Sequence, residues 1–228
     1  PADPTGERFR IEHDGTVAEI AEVGASLRAL SVGGVELVPR YPDDIGAPAA
    51  SGLVLVPWPN RVAGGAWTQQ GSAYRLAITE PATGNAIHGL LRFTPYRVQE
   101  RARDAVALAA TVFPQTGYPF QLATSVTYAV GDMGLQVTHR IENVGAAAAP
   151  VAVGAHPYVM LGGTATADLL LELDADSRFE VDDRMIPVAQ RPVDAATDLR
   201  TPRRVGELSL DTAFADIRRD GSDRIRAR

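Results

Sequence analysis

Three short segments of this chain carry residue types that could do chemistry. Asn85-Ala86-Ile87-His88-Gly89-Leu90 and Gly154-Ala155-His156-Pro157-Tyr158 place two of the four histidines in glycine- and proline-marked corners between strand-like runs. A neutral imidazole gives or takes a proton near pH 7. Upstream of both, Pro57-Trp58-Pro59-Asn60-Arg61-Val62 follows the apolar run Leu53-Val54-Leu55-Val56. Prolines cannot donate to a sheet ladder, so the chain must leave the sheet there, and it delivers Asn60 and Arg61 at the exit. Asn offers donor and acceptor atoms, and Arg a rigid fork of donors. Together these residues point to acid–base chemistry on a hydroxyl-rich small molecule. Any one of the histidines alone reads more simply as a satisfied loop residue, and an arginine tied to a loop carbonyl leaves the same signature as Arg61; the combination carries the reading. His13 and His139 lie among polar neighbours in alternating runs and read as solvent-facing strand positions without a catalytic role. Asp211-Thr212-Ala213-Phe214 taken alone is a cap or turn.

Other chemistries find little support. The chain has no cysteine, which excludes a thiol nucleophile, a disulfide framework and a thiolate metal site. No His-x-x-x-His and no His/carboxylate pair at ligand spacing occurs, so no metal is expected. Glycine-rich phosphate loops and a G-x-S-x-G elbow are also missing. The net charge of −6 argues against a nucleic-acid partner. All 22 basic residues are arginines, and the five that bunch near the end (Arg218, Arg219, Arg224, Arg226, Arg228) alternate with Asp216, Asp220 and Asp223 as a solvated mixed-charge segment. No apolar run approaches the ~18 residues of a membrane span. The stretch Pro1 to Glu7 is polar and lacks the apolar region of a signal peptide. With the absence of cysteine, this leads to the expectation of a cytoplasmic protein without a membrane partner.

The elements that must position these residues are strands. Period-two alternation dominates the 228 residues. Phe9 to His13 and Thr16 to Ile20 flank Asp14-Gly15, a strong hairpin signal because a type I′ turn needs positive φ at both central residues. Ser26 to Val32 and Val35 to Val38 flank Gly33-Gly34. Further strands are expected over 73–78, 96–101, 106–112, 122–130, 135–141 and 169–173, with Gly131-Asp132-Met133-Gly134 as a tight turn. Ala146 to Ala149 favours helix but is too short and runs into Pro150. Residues 192–204 read as a surface connection. An all-β sandwich or barrel forming a single domain over 1–228 is the expected architecture.

In order and spacing, Pro57 to Val62, Asn85 to Leu90, Gly117-Tyr118-Pro119-Phe120, Leu135 to Asn143, Gly154 to Tyr158 and Asp211 to Phe214 resemble the aldose 1-epimerase, or galactose mutarotase-like, family over nearly the whole chain. The resemblance implies a large antiparallel β-sandwich with a sugar in a cleft on one concave sheet. It implies an isomerase that interconverts the α and β anomers of an aldose without metal or organic cofactor, acting as a monomer or homodimer in carbohydrate metabolism. By position His156 corresponds to the general acid on the ring oxygen, His88 to the second pocket histidine, and Asn60 and Arg61 to the pair that contacts the sugar. Tyr158 stands beside the acid, and Asp211 matches an acidic residue that binds sugar hydroxyls. Arg61, His88 and Asp211 are thus expected to share one cleft with His156.

The family's general base is a glutamate in a C-terminal context that none of the glutamates here (Glu142, Glu172, Glu180 and Glu207 among them) matches. The expectation is therefore a sandwich without its last strands, in which these residues by themselves lack the base. A non-catalytic carbohydrate-binding module on the same scaffold is the main alternative. An epimerase for hexose 6-phosphates would need extra cations at the pocket rim, with Arg92 the nearest in sequence. A polysaccharide lyase-like domain would need a helical partner domain that is not seen.

Overall fold

The computed structural model describes residues 3–228. The chain divides into two compact units, residues 1–162 and 163–228. Among the described residues the regular elements are strands and four short 3₁₀ turns, as the period-two alternation requires.

The first unit is a two-layer sandwich. One layer is the antiparallel meander Arg8–His13, Thr16–Ala21, Ser26–Val32 and Val35–Val38. The other is Arg97–Arg101, Ala105–Val112, Leu122–Gly131 and Gly134–Asn143. Both expected glycine hairpins form with positive φ at each central residue: 38° and 78° at Asp14-Gly15, 57° and 82° at Gly33-Gly34. Alternate side chains meet between the layers. Phe9, Ile11, Ala18 and Ile20 from one sheet pack with Val106, Leu108, Leu122, Val126 and Val130 of the other. The Tyr128 hydroxyl, buried in this core, donates to the Ala25 carbonyl at 2.7 Å. Burying each large apolar side chain contributes about 1.5–3 kcal/mol, so this interface is the main source of the unit's stability.

Three expectations need correction. The strand expected over 73–78 ends at Arg75, because the Leu76 N–H turns away to the Gly65 carbonyl at 2.8 Å. The strand expected over 169–173 is reduced to Leu170–Leu171. His139 is half-buried and not solvent-facing: it pairs with Val126 across the ladder, so the pleat puts it on the face that Val126 buries. That burial pushes its pKa down. His13 does reach solvent, where its Nε2 lies 3.0 Å from Asp132 Oδ1 and links two hairpin turns.

The second unit is built around the sheet Pro187–Pro192, Ala175–Val181 and Phe214–Ile217. The central strand buries Ala175 and Ser177. Its Ser177 hydroxyl donates to Asp216 Oδ2 at 2.6 Å. Sequence periodicity misses these strands because their charged residues are matched in pairs. Arg178 pairs with Asp194, and Arg218 with Asp176. The result reads as a polar loop in one dimension.

Candidate active site

The apolar run expected at Leu53 to Val56 is fully buried, and Val54–Leu55 pairs antiparallel with Gly154–Ala155. This short ladder places His156. Its N–H donates to the Leu53 carbonyl at 3.1 Å, and its own carbonyl accepts from Gly52 at 2.8 Å. After Val56 the chain turns at Pro57-Trp58-Pro59. An aromatic cluster supports that turn: Trp58 and Tyr118 lie 6.2 Å apart, and Tyr118 and Phe120 pack edge-on at 5.1 Å. Trp67 Nε1 donates to Gly117 O at 3.0 Å, and the Tyr118 hydroxyl to Pro150 O at 2.7 Å. The Gly-Tyr-Pro-Phe segment is therefore the buttress of the site.

A second short ladder, Arg61–Val62 with Ala86–Ile87, brings the other two segments together. Beyond it Asn60 and His88 close a reciprocal pair. The His88 N–H donates to Asn60 O at 2.9 Å, and the Asn60 N–H donates to His88 Nδ1 at 3.1 Å. Both residues sit in the left-handed region, at φ 57° and 63°. Side chains rarely adopt it, although Asn and His tolerate it best. Such local strain clusters at binding and catalytic sites.

Gly89, at φ 71°, follows His88. A Cβ there would lie 2.1 Å from the Val56 carbonyl oxygen, the atom that accepts the Leu90 N–H at 2.7 Å. Gly89→Ala is therefore expected to cost at least ~2 kcal/mol by strain and clash combined. Urea unfolding of the variant and wild type measures that loss, and equal midpoints would contradict it.

His88 and His156 meet edge to face, with ring centroids 5.4 Å apart and planes at 77°. Tyr158 completes the row, 5.4 Å from His156. The Asn60 N–H occupies His88 Nδ1, which assigns the ring proton to Nε2 and leaves that atom a donor. Burial, then the neighbouring His156, Arg92 and Arg61, lowers the His88 pKa to about 4. His88 is thus a fixed neutral donor over the working pH range. No ring nitrogen of His156 has a protein partner among the described residues, so both are open to a ligand.

Because the native His88 resists a proton that the unfolded chain accepts near the ordinary histidine value of 6.5, stability is complete above that pH and is lost as pH falls toward about 4. Discounted for screening at this half-buried position, the expected loss is on the order of 1–2 kcal/mol. In His88→Gln that part of the pH dependence should vanish, as read from urea midpoints between pH 7 and 4. An unchanged slope would contradict the assignment.

Arg61 is held by a residue that sequence reasoning missed. Glu80 accepts from Arg61 Nε at 2.7 Å and Nη2 at 2.8 Å, a bidentate fork. Arg61 Nη1 also donates to Asn60 Oδ1 at 3.2 Å, and the Thr83 hydroxyl donates to Glu80. The Arg61 guanidinium, with Thr83, holds the Glu80 carboxyl below the usual range. Asn85, fully buried, accepts from Gly64 N–H at 3.1 Å and donates to Thr83 at 3.0 Å. Glu80 precedes a proline and lies 19 positions from its partner, so neither periodicity nor a motif marks it.

The structure thus brings together Asn60, Arg61, His88, His156 and Tyr158. Asp211 belongs to the second unit, where it is exposed near Ala213, whose carbonyl accepts the Phe179 N–H at 2.9 Å. Among the described residues no helix is long and apolar enough to cross a membrane.

Residues 7–226 match the profile of the family described as aldose 1-epimerase. The uncharacterized protein YihR of Escherichia coli K12 is 39% identical over 200 residues, which cover 86% of this chain and 65% of that protein. Galactose mutarotase of Sus scrofa is 28% identical over 226 residues, 89% of this chain and 63% of that enzyme. The chain therefore spans under two thirds of the length of these relatives. Among solved structures, the GalM/aldose epimerase homologue of C. elegans superposes with a TM-score of 0.78 at 24% identity, covering 88% of this chain and 66% of that one. A putative aldose 1-epimerase of E. coli K12 gives 0.79 at 18% identity, covering 92% and 70%. The galactose mutarotase-like β-sandwich fold is shared with these proteins.

Proposed function

Since the chain belongs to the aldose 1-epimerase family, we propose that it interconverts the α and β anomers of an aldose by ring opening and reclosure. The observation that carries the proposal is the pairing of two histidines in different roles, 5.4 Å apart, beside an arginine locked in place by Glu80. His156, with unengaged ring nitrogens, protonates the ring oxygen. The bond from the anomeric carbon to that oxygen breaks as a base takes the proton of the anomeric hydroxyl, leaving an open-chain aldehyde. Rotation about the first carbon–carbon bond and attack of the hydroxyl formed from the ring oxygen on the other carbonyl face give the opposite anomer, and the protons return. His88 Nε2–H and the Asn60 side chain bind sugar hydroxyls. Arg61 orients the ring and stabilises negative charge developing on oxygen. Tyr158 flanks the sugar beside the acid.

We do not assign the base to Glu80. Its carboxylate is engaged by Arg61 and Thr83 and its pKa is lowered, which makes it a weak proton acceptor. That same engagement favours one rival reading, a sugar-binding module without turnover. Exchange NMR between the anomers of a panel of free and phosphorylated aldoses decides between them. Protein-dependent exchange of at least one sugar supports the epimerase, and shifts on binding without exchange support the module.

A further inference from the structure

We propose that Arg92 is a specificity-determining residue that recognises an oxyanion on the sugar, so that the preferred substrates are anionic aldoses. This rests on the reading of the site as an aldose epimerase. The two arginines at the site differ in their partners. Arg61 is neutralised by the bidentate pair with Glu80. Arg92 forms no ion pair with any carboxylate among the described residues. Its Nη2 donates to a neutral acceptor, the Thr79 carbonyl, at 3.3 Å.

That contact fixes its place. Thr79 adjoins Glu80, and the Thr79 hydroxyl accepts the N–H of Ile87, the residue before His88, at 2.9 Å. The Arg92 guanidinium therefore sits at the corner where the Glu80 and His88 segments meet. Its charge is felt at His88. The backbone beneath is fixed as well. A Cβ on Gly24 would lie 2.8 Å from the Arg92 carbonyl, and the Gly24 N–H donates to Thr94 O at 2.9 Å. The guanidinium carbon lies 4.7 Å from the centroid of the Phe93 ring, which is 71% exposed.

A half-buried cation whose opposing charge, Glu80, is already forked to Arg61 attracts an anion, and a guanidinium with open N–H groups suits the paired oxygens of a phosphate or carboxylate. In a pyranose the exocyclic carbon is attached beside the ring oxygen. A charged group there falls next to the histidine pair that handles that oxygen. Arg92 would hold such a group while His156 works on the ring.

The test compares kcat/KM for anomerisation of glucose, glucose 6-phosphate and glucuronate by the full-length protein and its Arg92→Gln and Arg92→Lys variants. The expected result is at least a tenfold preference for an anionic sugar. That preference should collapse in Arg92→Gln and return in part in Arg92→Lys. The two anions show whether a tetrahedral or a planar head group is favoured. A wild-type ratio near one, or a ratio unchanged in Arg92→Gln, overturns the inference while the epimerase reading stands. If no sugar is anomerised, that reading fails instead, and calorimetric binding of the same sugars decides on Arg92. Tighter binding of the anionic sugar, lost in Arg92→Gln, supports the inference, and equal binding overturns it.

Discussion

His156→Gln is expected to lower turnover by roughly 10²–10⁴-fold, the usual contribution of a positioned proton donor. Glutamine keeps a polar side chain but cannot transfer a proton at this pH. The backbone that holds the residue, the ladder with Val54–Leu55, uses only main-chain atoms and should survive the change. The loss should therefore appear in kcat more than in KM. His88→Gln is expected to behave differently. His88 stays neutral down to about pH 4, so its role is hydrogen bonding, and its loss should weaken sugar binding more than it slows the chemical step. Steady-state rates of both variants, with circular dichroism to confirm folding, separate the two roles. If His88→Gln proves the slower in kcat and His156→Gln is near normal, the roles are reversed.

The second large effect concerns Arg61. Arg61→Ala removes the guanidinium that orients the sugar and leaves Glu80 without its fork partner. A drop of roughly 10²–10³-fold in kcat/KM is expected. Glu80→Gln is expected to cost about tenfold, because the arginine remains but is no longer held in one geometry. The two residues act as one unit, so the double variant should be little worse than Arg61→Ala alone. Additive losses would show that Glu80 has a task of its own, most simply as the base.

Much of this site was legible in one dimension because its residues stand at breaks in the pattern. Prolines at 57 and 59 end a buried strand, and the chain indeed turns there to present Asn60 and Arg61. Gly89 marks the close approach to Val56, and Gly154 opens the short strand that places His156. The hairpins at Asp14-Gly15 and Gly33-Gly34 follow from turn chemistry alone. What escaped the sequence is what depends on partners far along the chain. Glu80 matters only through Arg61, and Arg92, marked in the sequence only by its nearness to His88, is placed by its contact with Thr79. His139 was placed in water by its polar neighbours, whereas the pairing with Val126 decides its face. The strands Ala175–Val181 and Pro187–Pro192 escaped because arginine–aspartate pairing, rather than apolar alternation, accompanies their edges. Such pairs make few demands on local sequence, so propensity does not record them.

The most direct test of the central claim is polarimetry of a pure α-aldose dissolved in the presence of catalytic amounts of the full-length protein. The rate of approach to equilibrium should rise in proportion to protein concentration. The final rotation should not change, since a catalyst leaves the anomeric equilibrium where it was. His156→Gln should return the rate to nearly the spontaneous value. A rate independent of protein, for every neutral and anionic aldose that binds, would contradict the claim and leave the histidine cleft a sugar-binding site only.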